Sequence, residues 1–505
     1  MRPSIRRGLS AALAVLSVIV TAACTQPTPP EPGERPKPLL LISIDGARHD
    51  YLDHADTPAI DRLIESGLIA DSMQHVFPTK TFPTHYSLVT GRHPGTHGVV
   101  ANSMWDPRRD RNERFSLGNR EAVEDGYWYQ GGEPIWVTAQ AQGLTAATFF
   151  WPGSEARIHR IRPSFWKPYA GDTPHAERIA QILDWLDKPA AERPDLLTLY
   201  FSRVDSTGHR HGPLAEPVIA ALEDVDRHLG DLLDGLDQRG LLGAMNILLV
   251  ADHGMSRVDL DRYIMLDDYL DLGGVRVSDW GPAAQIWATD TSVEEIMAAL
   301  EDAHPRMRVW RREDIPARYH FGDHHRVPDV LAEADPEWMI SNKPYMAGRE
   351  RFSLQGMHGW NPAFEEMHGI FVAHGPAFEG PKRAPAVRSI DLYALMTELL
   401  ALEPADHEGS MGPWQPYLES TAAPEPERFT VTCPTGPTRF SAALGPGHMS
   451  LGHERKVFVL ERSADDAGRR FHATGMAFEL DGEQATVRID ETTWHDCRVE
   501  PAAVR

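Results

Sequence analysis

Cysteine is scarce. Only Cys24, Cys433 and Cys497 occur in 505 residues, which excludes a fold held together by a disulfide framework. Positive charge is also short, with 50 Lys and Arg against 73 Asp and Glu and a formal net charge of −23. A broad basic surface for gripping a nucleic-acid polymer is therefore excluded. A phosphate-bearing substrate would need positive charge supplied locally, and bound metal is the obvious source. No apolar run is long enough for a comfortable membrane span, and no internal repeat is visible. What remains is ordinary globular composition with ample apolar material for a core, 42% of residues being hydrophobic, so collagen-like and mainly disordered classes are excluded too.

The N-terminus reads as a targeting segment. Arg2, Arg6 and Arg7 precede a short apolar run from Leu9 to Val20, and Thr21-Ala22-Ala23 leads into Cys24. This pattern predicts a signal peptide over residues 1–23. Small residues directly before a cysteine resemble a bacterial lipoprotein cleavage box, with Thr21 standing where Leu, Val or Ile is usual. The resemblance implies export to the periplasm or anchoring in the outer membrane through a lipidated Cys24, the lipid being the only membrane contact. Residues 24–38 are rich in proline and predict an extended tether.

From residue 39 short apolar runs alternate with helical patterns. Leu39–Ile44, Thr145–Phe150, Leu196–Phe201, Asn246–Val250 and Gly369–Ala373 are nearly all apolar, as strands buried on both faces should be. Thr57-Pro58 opens a helix by cap and first-turn chemistry. Val218, Leu222, Val225, Leu229, Leu232, Leu233 and Leu236 form one helical stripe, a core face. The alternation predicts an α/β fold: a mainly parallel sheet with helices on both faces, over residues 39–418. Residues 419–427, rich in Ala, Pro and Glu, read as a linker. Residues 428–505 carry short alternating segments that predict a small all-β domain, barrel-like in form. Cys433 and Cys497 bracket it and could pair in an oxidising compartment.

Polar residues gather where the strands end. Asp45 follows Ile44, Asp205 lies just past Phe201, and Asp252-His253 follow Val250, the position at which ligands collect in such folds. Taken singly, each Asp is a helix cap and each His a hydrogen-bonded structural residue. Taken with His209 and His358, they mix carboxylate oxygen and imidazole nitrogen as zinc prefers. Three Asp and three His furnish three ligands for each of two metals. His75, His85, His93, His97, His211 and His368 read as structural or as supports behind the ligands. In Phe77–Tyr86, Pro83 suits the first turn of a helix. That places the Thr81 hydroxyl at a positive helix end, where it is either a cap or, beside divalent ions, a nucleophile.

These residues carry a resemblance. Leu39–Tyr51 (LLLISIDGARHDY), Pro78–Gly98 (PTKTFPTHYSLVTGRHPGTHG), Gly131–Ala139 (GGEPIWVTA), Trp151–Glu155 (WPGSE), Asp205–Pro213 (DSTGHRHGP), Ala251–Met255 (ADHGM) and Gly356–Gly359 (GMHG) together resemble the nucleotide pyrophosphatase/phosphodiesterase family of the alkaline phosphatase superfamily. The resemblance implies an alkaline-phosphatase-like sheet and two zinc ions. Asp45, Asp252 and His253 match the ligands of the zinc that also holds the nucleophile, Thr81. Asp205, His209 and His358 match those of the other. Asn102 matches a donor to a non-bridging phosphate oxygen, and Phe82, Tyr169 and Tyr200 fall where family members contact a nucleotide base. Thr84 departs from the family pattern, which has Asn there, and Ser202-Arg203-Val204 replace residues that are often acidic or proline. Neither departure touches a ligand position. The implied reaction is hydrolysis of nucleotide phosphodiester or phosphoanhydride bonds through a nucleotidyl-threonine intermediate, releasing nucleoside monophosphates.

Arg469–Glu479, Gly482–Val487 and Cys497 resemble periplasmic β-barrel inhibitors of C-type lysozyme, with Phe429–Phe440 as the first strand. Ser463–Arg470 (SADDAGRR) does not match the loop that plugs lysozyme, so a passive appended domain is preferred to one that contacts lysozyme. Two other readings compete: a phosphomonoesterase of the same superfamily, and a lipid-anchored binding protein with a vestigial enzyme domain. Only Lys80 among the motif residues could clamp a doubly charged monoester, and a full set of ligands argues against a vestigial site. A sulfatase would need Cys or Ser in place of Thr81.

Overall fold

A computed structural model describes residues 35–322, 324–347, 354–419, 425–434, 438–463 and 469–502. The signal segment, Cys24, most of the tether, the centre of the linker and the middle of Ser463–Arg470 lie outside the described residues. Among the described residues no helix is long and apolar enough to cross a membrane.

The central sheet has eight strands: β1 (Leu39–Ile44), β2 (Leu68–Ala70), β3 (Ala146–Phe149), β4 (Phe165–Trp166), β5 (Leu196–Phe201), β6 (Asn246–Val250), β7 (Phe371–His374) and β8 (Lys382–Ala384). Their spatial order is β8-β2-β7-β6-β1-β5-β3-β4. β1 lies between β5 and β6 and is parallel to both, Ser43 standing opposite Tyr200 on one side and Val250 on the other. Every residue of β1, β5 and β6 is buried, which is why these segments read as continuous apolar runs. β7 runs antiparallel to β6 and β2, so the sheet is mainly but not wholly parallel. It also starts two residues later than the apolar run from Gly369 predicts, because Gly369 exchanges backbone hydrogen bonds with Met73 instead.

Helices cover the sheet: α1 (Pro58–Glu65), α2 (Thr81–Thr90), α3 (His175–Leu186), α4 (Arg203–His211) and α5 (Glu216–Gln238). The α5 stripe from Val218 to Leu236 is buried throughout. Helix α1 corrects the capping expectation. Thr57 makes no side-chain cap. Instead the carboxylate of Asp226, on α5, accepts from the amides of Ala59 and Ile60 at 3.1 and 2.9 Å. A long-range acceptor thereby satisfies donors that the first turn cannot.

A second, four-stranded sheet, of strands 275–279, 283–288, 330–334 and 307–311, has its own apolar core. The C-terminal module is a closed eight-stranded antiparallel barrel running from Glu427–Cys433 to Thr492–Pro501. Phe429–Phe440 is not one strand: Glu427–Cys433 and Thr438–Leu444 form a hairpin. Cys433 and Cys497 are joined by a disulfide across a sequence separation of 64, a closure worth about 4 kcal/mol on loop-entropy grounds. The barrel packs on the α/β domain. Gln74 Nε2 donates to the Val457 carbonyl at 2.7 Å, and Arg388 pairs with Glu461.

Replacing Asp226 with Ala strands the two α1 amides. Urea unfolding should show a loss of about 1–2 kcal/mol, whereas Thr57→Ala should leave the midpoint essentially unmoved.

Candidate active site

The site forms at the carboxyl ends of β1, β5 and β6. Asp45 is the first residue after β1, and its amide donates to the Phe201 carbonyl at the end of β5 at 2.9 Å. The Asp205 amide in turn donates to the Asp45 carbonyl at 3.0 Å, so the two loops are locked together. This closeness requires Gly46 (φ +71°), where a Cβ would lie 2.9 Å from the Asp205 backbone. Asp205 and His209 are four residues apart on α4 and therefore share one face. Asp252 and His253 follow β6, and His358 arrives on the loop after Gly356-Met357.

All six side chains meet. His253 Nε2 lies 3.0 Å from Asp252 Oδ2 and 3.4 Å from both Asp45 Oδ1 and Thr81 Oγ1. Asp205 Oδ1 lies 3.2 Å from His209 Nε2 and 3.6 Å from His358 Nε2. Ligands about 2.0–2.1 Å from a shared tetrahedral ion would be spaced about 3.4 Å apart, so these contacts are ligand spacings. Two three-residue sets each have all their ligand atoms within 4.8 Å of one another: Asp45/Asp252/His253 and Asp205/His253/His358. His253 thus belongs to both clusters, and its ring stacks on His358 at 3.4 Å.

The protonation pattern fits a metal. Each histidine is placed to donate Nδ1–H to a backbone carbonyl: His253 to Gly254 (2.9 Å), His358 to Thr79 (2.8 Å) and His209 to Gly356 (2.9 Å). That tautomer turns a bare Nε2 lone pair toward the carboxylates. Facing those lone pairs, Asp45 Oδ1, Asp205 Oδ1 and Asp252 Oδ2 are buried without a hydrogen-bond donor. Lone pair against lone pair at about 3 Å needs a proton or a cation between them, and the donor set of imidazole and carboxylate suits zinc.

Electrostatics tell the same story. Burial, then the charges of Asp252 and Asp205, push Asp45 well above the usual carboxylate range. Burial works against charge at Asp205 as well, but His209 and His358 outweigh it and hold Asp205 at about 2. His209 is carried up to about 9, its burial being overcome by Asp205. The cluster is short of positive charge and borrows protons to make up the difference.

Thr81 opens α2, whose amide supply is unusual. Pro83 has no N–H, and the Phe82 amide is taken by Asn102 Oδ1 at 3.1 Å. Asn102 therefore caps the helix with its oxygen, leaving its NH2 as the donating end. Of the aromatic candidates, Tyr169 is half-buried, with its hydroxyl 3.2 Å from Ser202 Oγ. Phe82 and Tyr200 are only 2% exposed. Phe82 packs on Phe115, and the Tyr200 hydroxyl donates to Asp45 Oδ2 at 2.5 Å. Both rings, expected from the sequence to contact a base, are thus packed against protein here, and the Tyr200 hydroxyl orients the Asp45 carboxylate. Lys80 is also committed elsewhere, in a buried ion pair with Asp279.

Two further residues contribute: Thr79, which the sequence reading did not single out, and His85, which it read as structural or as a support behind the ligands. Thr79 holds His358 through its carbonyl, and its hydroxyl donates to the Trp360 carbonyl at 2.9 Å and accepts from the Gly359 amide at 3.0 Å. His85, fully buried, has Nδ1 2.9 Å from the Thr81 carbonyl and 3.2 Å from Asp252 Oδ2, and Nε2 2.8 Å from Ser43 Oγ. The only signal for either was its position inside the Pro78–Tyr86 motif.

The fold and the placement of Asp and His at its strand ends define the alkaline-phosphatase-like class. Residues 39–361 match the family model described as type I phosphodiesterase/nucleotide pyrophosphatase. The chain is 38% identical over 424 residues to ectonucleotide pyrophosphatase/phosphodiesterase family member 1 of Mus musculus, covering 81% of this chain and 46% of that protein. It is 37% identical over 441 residues to the venom phosphodiesterase CdcPDE of Crotalus durissus collilineatus, covering 84% and 52%. It thus spans about half the length of the curated relatives it matches. An inactive variant of murine ectonucleotide pyrophosphatase/phosphodiesterase 5, solved with AMP, superposes with a TM-score of 0.71 at 36% identity, covering 76% of this chain and all of that one. This chain belongs to the type I phosphodiesterase/nucleotide pyrophosphatase family.

Because His209 holds a proton up to about 9, a metal ion at Nε2 must displace it. Zinc uptake by chelator-stripped protein should release that proton, and apparent affinity should fall as the pH drops below about 9. Calorimetry at pH 7.5 in buffers of different ionisation enthalpy reads this release, which His209→Ala should lose.

Proposed function

We propose that this chain is an exported, metal-dependent phosphodiesterase/nucleotide pyrophosphatase that acts through a covalent nucleotidyl-threonine on Thr81 and releases nucleoside monophosphates. The observation that carries this reading is the convergence of three donorless carboxylate oxygens and three imidazole Nε2 atoms beside the Thr81 hydroxyl. Asp45, Asp252, His253 and Thr81 would hold one zinc, and Asp205, His209 and His358 another. When bound, zinc supplies the Lewis acidity that makes a weak hydroxyl nucleophilic and offsets the negative charge of the diester and of the leaving oxygen.

The protein's own groups do the rest. Thr81 Oγ1 attacks phosphorus, forming the Thr81–phosphoryl bond as the bond to the leaving oxygen breaks. Water then attacks the same phosphorus and the Thr81 oxygen departs. The Thr81 amide and the Asn102 NH2 are the donors for charge that develops on the non-bridging oxygens, each worth about 2.7–4 kcal/mol when well placed. His85 and Tyr200 keep Asp252 and Asp45 in position. The half-buried Tyr169 ring is the stacking surface for a base, a contact worth about 1–3 kcal/mol and tolerant of base identity. The AMP bound to the inactive murine relative supports a nucleotide substrate.

Lys80 favours diesters over monoesters. A monoester brings a second negative charge, and the one lysine next to Thr81 is already neutralised by Asp279. Relatives named as ectoenzymes and as venom enzymes support export, in keeping with the lipidated Cys24 read from the sequence. The barrel is an appended module, for which no lysozyme contact is proposed.

The test is a nitrophenyl ester of thymidine monophosphate assayed against nitrophenyl phosphate. Diester cleavage should predominate and should vanish on chelation, while equal or faster monoester cleavage would overturn the assignment. Thr81→Ala should lower diester turnover by about 10³-fold or more. A variant that retains near-normal turnover would rule out the covalent route.

A further inference from the structure

A third cluster of metal-ligand type lies away from the active site. His175 is the first residue of α3, and Asp224 and His228 are four residues apart on α5, so the two share one face of that helix. The ligand atoms of the three lie within 4.8 Å of one another. His175 Nδ1 is 3.4 Å from Asp224 Oδ2, the same ligand-to-ligand spacing seen in the catalytic cluster. It is also a buried nitrogen with no hydrogen-bond partner. His228 is placed to donate Nδ1–H to the Asp224 carbonyl at 2.7 Å, which leaves Nε2 as a lone pair. The His175 ring is held edge-on by Phe201 at 5.0 Å. One imidazole is thus fixed by packing and the other by its second nitrogen, as in built metal sites.

We propose that His175, Asp224 and His228 form a separate binding site for a divalent transition-metal ion of the zinc class. Two imidazoles and one carboxylate make a borderline-soft donor set that calcium and magnesium do not prefer. Three protein ligands leave the fourth tetrahedral position open. His175, Asp224 and His228 all line one open cavity of about 500 Å³ whose wall also includes Ser202, Ser206 and Arg210. Arg203, Ser206 and Arg210 lie on a different face of α4 from Asp205 and His209, so this site and the catalytic centre share a helix but no ligand.

Two arginines compete for Asp224. Arg203 lies 3.4 Å from Oδ2 and Arg227 pairs with Oδ1. Their side chains are 62% and 66% exposed, and ion pairs of that exposure are worth about 0–1 kcal/mol. They can swing into water at little cost when a cation arrives. Arg178 also lines this pocket, but its guanidinium is spent on the carbonyls of Thr173, Tyr200 and Gly171. Its charge, after burial, helps keep His175 neutral, the state a ligand needs.

The test uses full-length protein stripped with chelator and dialysed against Zn²⁺ alone, with metal content read by elemental analysis. His228→Gln and Asp224→Asn, both substitutions of similar size at half-buried positions, should each hold one zinc fewer than the parent. Asp252→Asn should lose metal from the catalytic cluster and keep this one, so failure of this site and failure of the catalytic reading give different results. With Co²⁺ the parent should show tetrahedral visible absorption that decreases in His228→Gln. Equal zinc content in the parent and both folded variants, checked by circular dichroism, would overturn the proposal.

Discussion

Three carboxylates taken out of water within reach of one another set the terms for this molecule. Asp45, Asp205 and Asp252 sit at the ends of adjacent strands, each with an oxygen that no donor satisfies. Burying one uncompensated charge costs several kcal/mol even after relaxation, and burying three together is tolerable only if cations or protons join them. Among the described residues their ion-pair partners are all histidines, with no lysine or arginine. Besides His85, which lies against Asp252, the imidazoles of His209, His253 and His358 are each anchored by Nδ1 so that Nε2 faces inward. The site is built to be completed by positive charge from outside.

That constraint accounts for the local architecture. Gly46 is needed because the Asp45 and Asp205 backbones cross too closely for a Cβ. Tyr200, apolar in company and buried at the end of β5, has one polar task, donating to Asp45. Asn102 looks toward phosphate chemistry yet spends its oxygen on the Phe82 amide, which fixes the start of α2 and with it the Thr81 hydroxyl. On the proposed reading, the same economy would let so acidic a chain serve a phosphate substrate, because what a phosphate meets would be set by the Asp and His cluster and not by net charge. Lys80, the one cation in the nucleophile motif, is consumed by Asp279, so any second substrate charge would go unmatched.

Much of this was legible in the residues. Fully buried parallel strands read as unbroken apolar runs, so β1, β5 and β6 could be bounded from the sequence, and Asp45, Asp205 and Asp252 fell at or just beyond their ends. The i,i+4 spacing of Asp205 and His209 put both on one face of α4. The helical stripe of α5 was visible because its period is local. Other features were not legible because they depend on partners far along the chain. Asp226 caps α1 from more than 160 residues away, and nothing near Thr57 signals that its own hydroxyl is unused. The packing of the aromatics was hidden for a related reason: an apolar ring at a strand end or a helix start looks the same in the sequence whether it lies open or packs on a ring such as Phe115.

The amino-acid sequence by itself determined which segments become strands and helices, and which side chains carry oxygen, nitrogen and hydroxyl chemistry, since both follow from local periodicity and residue type. Only the tertiary structure decided that His253 bridges two ligand clusters, that Lys80 is neutralised, that Tyr200 serves a carboxylate, and that His175 meets Asp224 and His228. Those outcomes turn on distances of a few ångströms between residues remote in the chain. Such distances arise when strands order themselves in a sheet and helices pack across it, and no short-range pattern encodes them.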